Sequence, residues 1–150
     1  MYNHGMTVFI GSDHGGFALK NELIEYLQRK NIRVEDLGAY ELNPVDDYPT
    51  YAKKVAQAVL QHPEEFLGIL ICRNGVGMDI TANRFKGIRC ALGFDELQVQ
   101  KARQDDTVNM LALPADYMTV EQAEKLVDIF LNTSPNTDEK YPRRIQEIDE

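Results

Sequence analysis

The segment Leu67–Met78, LGILICRNGVGM, runs a nearly continuous apolar stretch straight into a glycine turn. An apolar run of this length bounded by a turn reads as a central parallel strand, Leu67–Cys72, buried on both faces. Such a strand has to be covered by helices above and below, which narrows the possible folds sharply. Cys72 stands where the strand ends. Asn74, Gly75, Val76 and Gly77 follow, and MDITANRF, Met78–Phe85, then takes up a helical pattern. Free backbone N–H groups and the positive end of a helix therefore lie beside the sulfur, where a thiolate or an anionic ligand is stabilised.

The rest of the chain alternates regularly around this strand. Met6–Ser12 is a β-rich run, and Phe17–Asn31 carries Leu19, Leu23, Ile24 and Leu27 at helical spacing. Ile32–Gly38 reads as a second strand. From Tyr48, the residues Ala52, Val55, Ala56 and Val59 share one helical face, with Pro49 acceptable in the first turn. Ile88–Phe94 reads as the fourth strand, Asp95–Gln104 as a helix and Val108–Pro114 as the fifth strand. Thr119 caps a last long helix with Gln122 three residues on, and Ala123, Leu126, Val127 and Phe130 form its buried stripe. Strands alternating with helices imply right-handed crossovers, hence an α/β fold: a three-layer doubly wound sandwich around a five-stranded parallel sheet. Ligands bind beyond the carboxyl ends of such strands near the switch in strand order, which is where Ser12–Gly16 and Cys72–Gly77 both fall. The tail from about residue 133 to 150 is too polar for a core and is expected to form a short surface or intersubunit helix.

With 150 residues, 43% of them apolar and 27% charged, the chain is expected to be one domain over 1–150. It has no run of about 18 apolar residues and no basic leader before an apolar core, so no membrane span or signal peptide is expected and a cytoplasmic setting follows. The two cysteines, Cys72 and Cys90, lie in or at the end of apolar strands and suit reduced thiols. A net charge of -8 argues against general nucleic-acid or membrane-surface binding, so any phosphate partner is small and held locally. No Cys or His set has metal-ligand spacing, no Walker loop is present, and SDHGG lacks dinucleotide-turn spacing, so neither a metal nor a cofactor is expected.

Three groups of residues stand out against plainer explanations. A cysteine in a strand is most simply a small buried hydrophobe, which suffices for Cys90, but Cys72 gains from its place before the glycine turn. In Ser12–Gly16, Asp13 or Ser12 serves as a turn cap. His14 is harder to dismiss, because His4 sits near the chain start and His62 at a helix end, and an imidazole here can bind phosphate or hold a thiolate. Arg84, Lys86 and Arg89, with Lys140, Arg143 and Arg144, read by default as a solvated face; the tail trio is the better candidate for a phosphate clamp.

In order, IGSDHGGFALK, the DDYP of Asp46–Pro49, LICRNGVGM with TANRFKGIR, and KARQDDTVNMLAL resemble the ribose-5-phosphate isomerase B family, which also includes the galactose-6-phosphate isomerase subunits. The resemblance covers nearly the whole chain. It implies a Rossmann-like fold, a homodimer or homotetramer with sites at the subunit interface, and metal-free aldose–ketose isomerisation of a phosphorylated sugar. By position it makes Cys72 the general base, since Met78 occupies the place where other members carry a glutamate. Asn74, Gly75, Val76, Gly77 and Met78 then match the loop that stabilises the enediolate. Asp13 and His14 match contacts to substrate hydroxyls and phosphate, Asp47 a residue near the ring-opening site, and Lys140 and Arg144 phosphate-binding cations reaching across to a neighbouring subunit. To act as a base Cys72 needs a pKa that falls or matches the operating pH, and the helix terminus with His14 is expected to supply that.

The departures bear on the substrate. Asp105 stands where the family carries a ring-opening histidine, Asn74 replaces a threonine or serine, Arg73 a glycine, and Asp116 a phosphate-binding arginine. An acid in that last place repels phosphate, so either another cation such as Arg73 or Arg143 compensates or the substrate differs from ribose 5-phosphate. The expected function is a sugar-phosphate isomerase. A sugar-phosphate-binding regulatory protein of the same fold is the alternative, and a cysteine hydrolase or transferase would need His14 paired to Cys72.

Overall fold

Five parallel strands, β1 (Thr7–Ser12), β2 (Arg33–Asp36), β3 (Phe66–Cys72), β4 (Cys90–Leu92) and β5 (Met110–Pro114), form one sheet in the order β2-β1-β3-β5-β4. They are seen in a computed structural model that describes residues 5–150, so His4 lies outside the described residues. Helices α1 (Phe17–Arg29), α2 (Tyr48–Val59), α3 (Val76–Ala82), α4 (Glu96–Asp106) and α5 (Val120–Asn132) connect and cover the strands, and α6 (Lys140–Ile148) ends the chain. The strand order reverses between β1 and β3, whose carboxyl ends therefore border a crevice.

Side-chain parity assigns each strand residue to one of two cores. Val8, Ile10, Leu67, Ile69, Ile71, Leu111 and Leu113 face α1, α4 and α5, with Phe130 fully buried among them. Phe9, Leu70, Cys72, Met110 and Ala112 face α2 and α3, where Ala52, Val55, Ala56, Val59, Met78 and Ala82 meet them. Cys72 is thus on the α3 side because it is two residues from Leu70, and only that parity lets the turn into α3 reach its sulfur. The Thr119–Gln122 capping box starts α5 as the sequence predicts.

Several boundaries differ from expectation, and β2 is shorter, Arg33–Asp36. Helix α3 begins at Val76 rather than Met78, because Gly75 takes a left-handed φ of 76° and turns the chain directly into the helix. It ends at Ala82 rather than Phe85. There Asn83 leaves the helix to pair with β4, its side chain receiving the Cys90 amide at 2.8 Å and donating to the Cys90 carbonyl at 2.9 Å. Strand β4 is three residues, not seven, since it is an edge strand whose ladder with β5 runs only from Cys90 to Leu92. Cys90 is half-buried; burial and then Asp79 push its thiol well above the ordinary range, which makes it inert. No helix among the described residues is long and apolar enough to cross a membrane.

One fully buried charge organises the crevice end of the sheet. Lys20, in α1, is wholly enclosed and donates to Asp36 Oδ2 at 2.7 Å. Asp36 Oδ1 receives the Gly38 amide at 2.9 Å, and Gly38 in turn accepts from Ser12 N at 2.7 Å. The pair thereby ties the loop after β2 to the end of β1. Its two halves are unequal, because the Asp36 side chain is 31% exposed whereas that of Lys20 is 0%. Removing the acid strands a buried ammonium; removing the ammonium leaves a carboxylate with water and an amide to solvate it. Asp36→Ala is therefore expected to cost about 3 kcal/mol or more, and Lys20→Met distinctly less, as read from urea denaturation midpoints of the two variants.

Candidate active site

The crevice forms because the β1–α1 turn lies directly on the end of β3. A Cβ at Gly16 would come within 2.4 Å of the Ile71 carbonyl oxygen, so only glycine permits the approach. The turn is held by Asp13, whose Oδ1 receives the amides of Gly15 at 2.9 Å and Gly16 at 3.2 Å. Of the two predicted capping residues it is Asp13 that acts. Both Asp13 and Cys72 are buried here.

Cys72 Sγ accepts a hydrogen bond from the Gly75 amide at 3.1 Å. Burial pushes its thiol up; the amides of Met78, Gly75 and Asn74 pull the other way, and the Asp13 charge adds to the rise. The net direction is upward, opposite to the lowering expected from a helix terminus and His14. The helix-end amides do act on the sulfur, but desolvation at the end of a central strand outweighs them. His14 bonds to another partner, and among the described residues no imidazole hydrogen-bonds to the thiol. The Cys–His pair that nucleophilic hydrolysis requires is not formed.

His14 turns to Asp46 instead. Its Nδ1 lies 2.7 Å from Asp46 Oδ1, and the same oxygen receives the His14 amide at 3.0 Å. Burial opposes ionisation of Asp46, yet these two bonds, the Tyr51 hydroxyl and the His14 charge outweigh it and hold the carboxyl below its usual value. Asp13 shifts the opposite way: burial raises its carboxyl, partly countered by the Gly16 amide, His14 and the Gly15 amide, while Asp46 adds to the rise. Burial, then Asp46, likewise raises Tyr51. Asp13, His14 and Asp46 offer ligand atoms within 4.8 Å of one another, a carboxylate–histidine set that spacing along the chain did not reveal. Asp13 Oδ1 is taken by backbone amides and Asp46 Oδ1 by His14, while Asp46 Oδ2 is buried with no hydrogen-bond partner among the described residues.

The remaining expected residues divide between two ends of the sheet. Gly75, Val76, Gly77 and Met78 form the turn at the sulfur, and Asn74 Oδ1 receives the Val76 amide at 3.1 Å. Asp47 is exposed at the start of α2 and joins no bond of the cluster; its neighbour Asp46 does. Tyr48, not foreseen, packs its ring on Gly77, where a Cβ would fall 2.6 Å from Cζ. Arg73 and Asp116 pair at the mouth, Nη1 to Oδ2 at 3.7 Å. Asp105 lies at the other end: α4 runs back from the crevice over 11 residues, about 16 Å of helix, and carries Asp105 near its last turn. Lys140, Arg143 and Arg144 start beyond α5, which also returns to that far end, and α6 packs against α4 there. Arg143 is paired with Glu147 at 2.8 Å, whereas Lys140 and Arg144 lie over the Tyr141 ring. Arg84 and Lys86 line a groove by β4 with Ile148–Glu150, and Arg89 is spent on the Thr107 carbonyl at 2.9 Å.

Comparison with known proteins places this geometry. The family model described as Ribose/Galactose Isomerase matches residues 8–148. Probable ribose-5-phosphate isomerase B of Mycoplasma pneumoniae is 44% identical over 129 residues, 86% of this chain and 83% of that protein. Ribose-5-phosphate isomerase B of Mycolicibacterium paratuberculosis is 34% identical over 140 residues, 93% of this chain and 87% of that protein. The crystal structure of a ribose 5-phosphate isomerase from Thermotoga maritima has a TM-score of 0.90 at 43% identity, covering 96% of this chain and 97% of that one. Ribose-5-phosphate isomerase B of Mycoplasma genitalium, solved with bound ribulose-5-phosphate, has a TM-score of 0.91 at 39% identity, covering 95% and 93%. In sequence and in fold, over almost its full described length, the chain belongs to the ribose/galactose isomerase family.

Proposed function

We propose that this isomerase interconverts ribose 5-phosphate and ribulose 5-phosphate, or a closely related aldose–ketose pair of sugar phosphates, with Cys72 as the base. The observation that carries it is the buried Cys72 sulfur at the switch point, with turn amides on one side and Asp13 on the other. The Cys72 thiolate takes the proton from the carbon next to the open-chain carbonyl, and the electron pair moves onto the carbonyl oxygen to give a cis-enediolate. The hydroxyl proton of that carbon passes to the first oxyanion, and the thiol returns its own proton to the former carbonyl carbon as the second carbonyl forms, so protons balance and no oxidant or reductant is consumed. Amides of the Asn74–Met78 turn stabilise the oxyanion, at about 3 to 4 kcal/mol for a well-placed donor. Asp13 and the His14–Asp46 pair hold substrate hydroxyls. The free cysteines suit a reducing, cytoplasmic setting.

The active unit is a dimer or tetramer. Lys140 and Arg144, which have no acidic partner among the described residues, and Asp105 lie at the end of the sheet opposite Cys72, so they reach a crevice only in another copy. Exposed Leu42, Val45, Val76 and Ile80 around the crevice supply apolar surface for that contact.

Three outcomes test this. Cys72→Ala is expected to lower kcat by about 10²- to 10⁴-fold and to abolish solvent-hydrogen exchange at the carbon next to the carbonyl, with circular dichroism unchanged; retained exchange sinks the base assignment. Because the thiol is raised and must ionise to act, kcat/KM should climb with pH through and beyond about 8.5, the ordinary thiol value. Asp13→Asn, which removes a charge opposing the thiolate, should move that limb to lower pH; an unmoved limb counts against Cys72 as the titrating group. Mixing inactive Cys72→Ala with inactive Lys140→Ala/Arg144→Ala should restore about a quarter of wild-type activity, one intact site per mixed dimer, and no recovery means each crevice is complete within its own chain.

A further inference from the structure

The mouth of the crevice is acidic, and one cation of the same chain stands in it. Asp13 and Asp46 line the interior and Asp116 the rim, an arrangement that by charge alone repels a phosphate. Arg73 follows Cys72 directly, and its stem lies across the β1–α1 turn: a Cβ at Gly15 would meet Arg73 Cγ at 2.4 Å. Its carbonyl receives the Asp116 amide at 2.9 Å, which joins the loops after β3 and β5 in continuation of the Cys72–Pro114 register. Its guanidinium is held near Asp116 by charge, but 3.7 Å is too long for a hydrogen bond. No described residue accepts from it, and its side chain is 64% exposed. The planar fork of donors is therefore oriented yet unspent, the state suited to bidentate capture of a phosphate.

Other cations near this end are committed or turned away. Lys20 is buried on Asp36, and Lys53 and Lys54 lie on the outer surface of α2.

We infer that Arg73 binds the phosphate of the substrate from within the same chain and offsets the Asp116 carboxylate beside it, an inference that rests on the sugar-phosphate assignment above. With Arg73 present, Asp116 holds the guanidinium in place; without it, Asp116 is a bare negative charge against the phosphate. The sign of the Asp116 effect thus depends on residue 73.

Calorimetric titration of ribose 5-phosphate, ribose and inorganic phosphate, with isomerase assays alongside, compares wild type with Arg73→Ala, Asp116→Ala and the double variant. Arg73→Ala should weaken ribose 5-phosphate binding about tenfold or more, raising KM with kcat nearly unchanged and leaving ribose binding unaltered. The double variant should bind more tightly than Arg73→Ala alone. Wild-type affinity in Arg73→Ala, or a double variant no better than it, overturns the inference while leaving the isomerase assignment intact. Arg73-dependent phosphate binding in a wild type that isomerises no sugar phosphate would instead sink that assignment and leave this one standing.

Discussion

Everything at the crevice depends on how closely the β1–α1 turn sits on the end of β3. Gly16 lies against the Ile71 carbonyl, and that contact puts Asp13 beside Cys72. A larger residue at Gly16 would lift the turn, and with it would go the amides of Gly15 and Gly16 on Asp13, the His14–Asp46 bond and the bed for the Arg73 stem. The Lys20–Asp36 pair supports the same turn from the other side through Gly38 and Ser12. The fold thus spends a fully buried ammonium on placement, an expensive choice unless geometry at this end of the sheet matters more than the stability an apolar residue would give.

Closeness creates an electrostatic conflict between two buried acids. Asp13 raises the Cys72 thiol, and desolvation raises both groups before any mutual effect. The structure separates the carboxylates by environment: Asp46, given the His14 amide and imidazole, stays readily ionised, while Asp13, more deeply desolvated, is pushed up. Pushing neighbouring pKa values apart in this way leaves one group able to hold charge and another able to carry a proton. For the proton shuttle proposed for Cys72, a thiol held high is a strong base once ionised, and the turn amides keep the cost of ionising it bounded.

Much of this was legible in the sequence where the signal was contiguous. The strand Leu67–Cys72 and the glycine turn after it follow from neighbouring residues, as do the alternation of elements and the α5 capping box. What was not legible depended on contacts far apart in sequence or on opposing magnitudes. Asp46 reaches His14 across 32 positions, and Asp47 beside it is the same residue type, so composition and spacing cannot choose between them. The direction of the Cys72 shift is a contest between desolvation and amides, and a sequence displays the amides more plainly than the burial. The brevity of β4 follows from its edge position, which depends on the order β3-β5-β4 rather than on its own residues.

Charge layout then explains why two sets of cations exist in so acidic a chain. Lys140 and Arg144 lie at the end of the sheet away from Cys72, where they cannot offset Asp13, Asp46 and Asp116 of their own crevice. Arg73 can, and the Cys72–Pro114 register brings the loops after β3 and β5 together, so the charge at residue 73 and the one of opposite sign at residue 116 meet at the same rim. A cation at either position would leave a similar net field over the mouth, but only residue 73 has its stem bedded on the turn beside the sulfur. On the inference drawn for Arg73, the distance between the reacting carbons and the phosphate is set within a single chain, by the ends of β1 and β3.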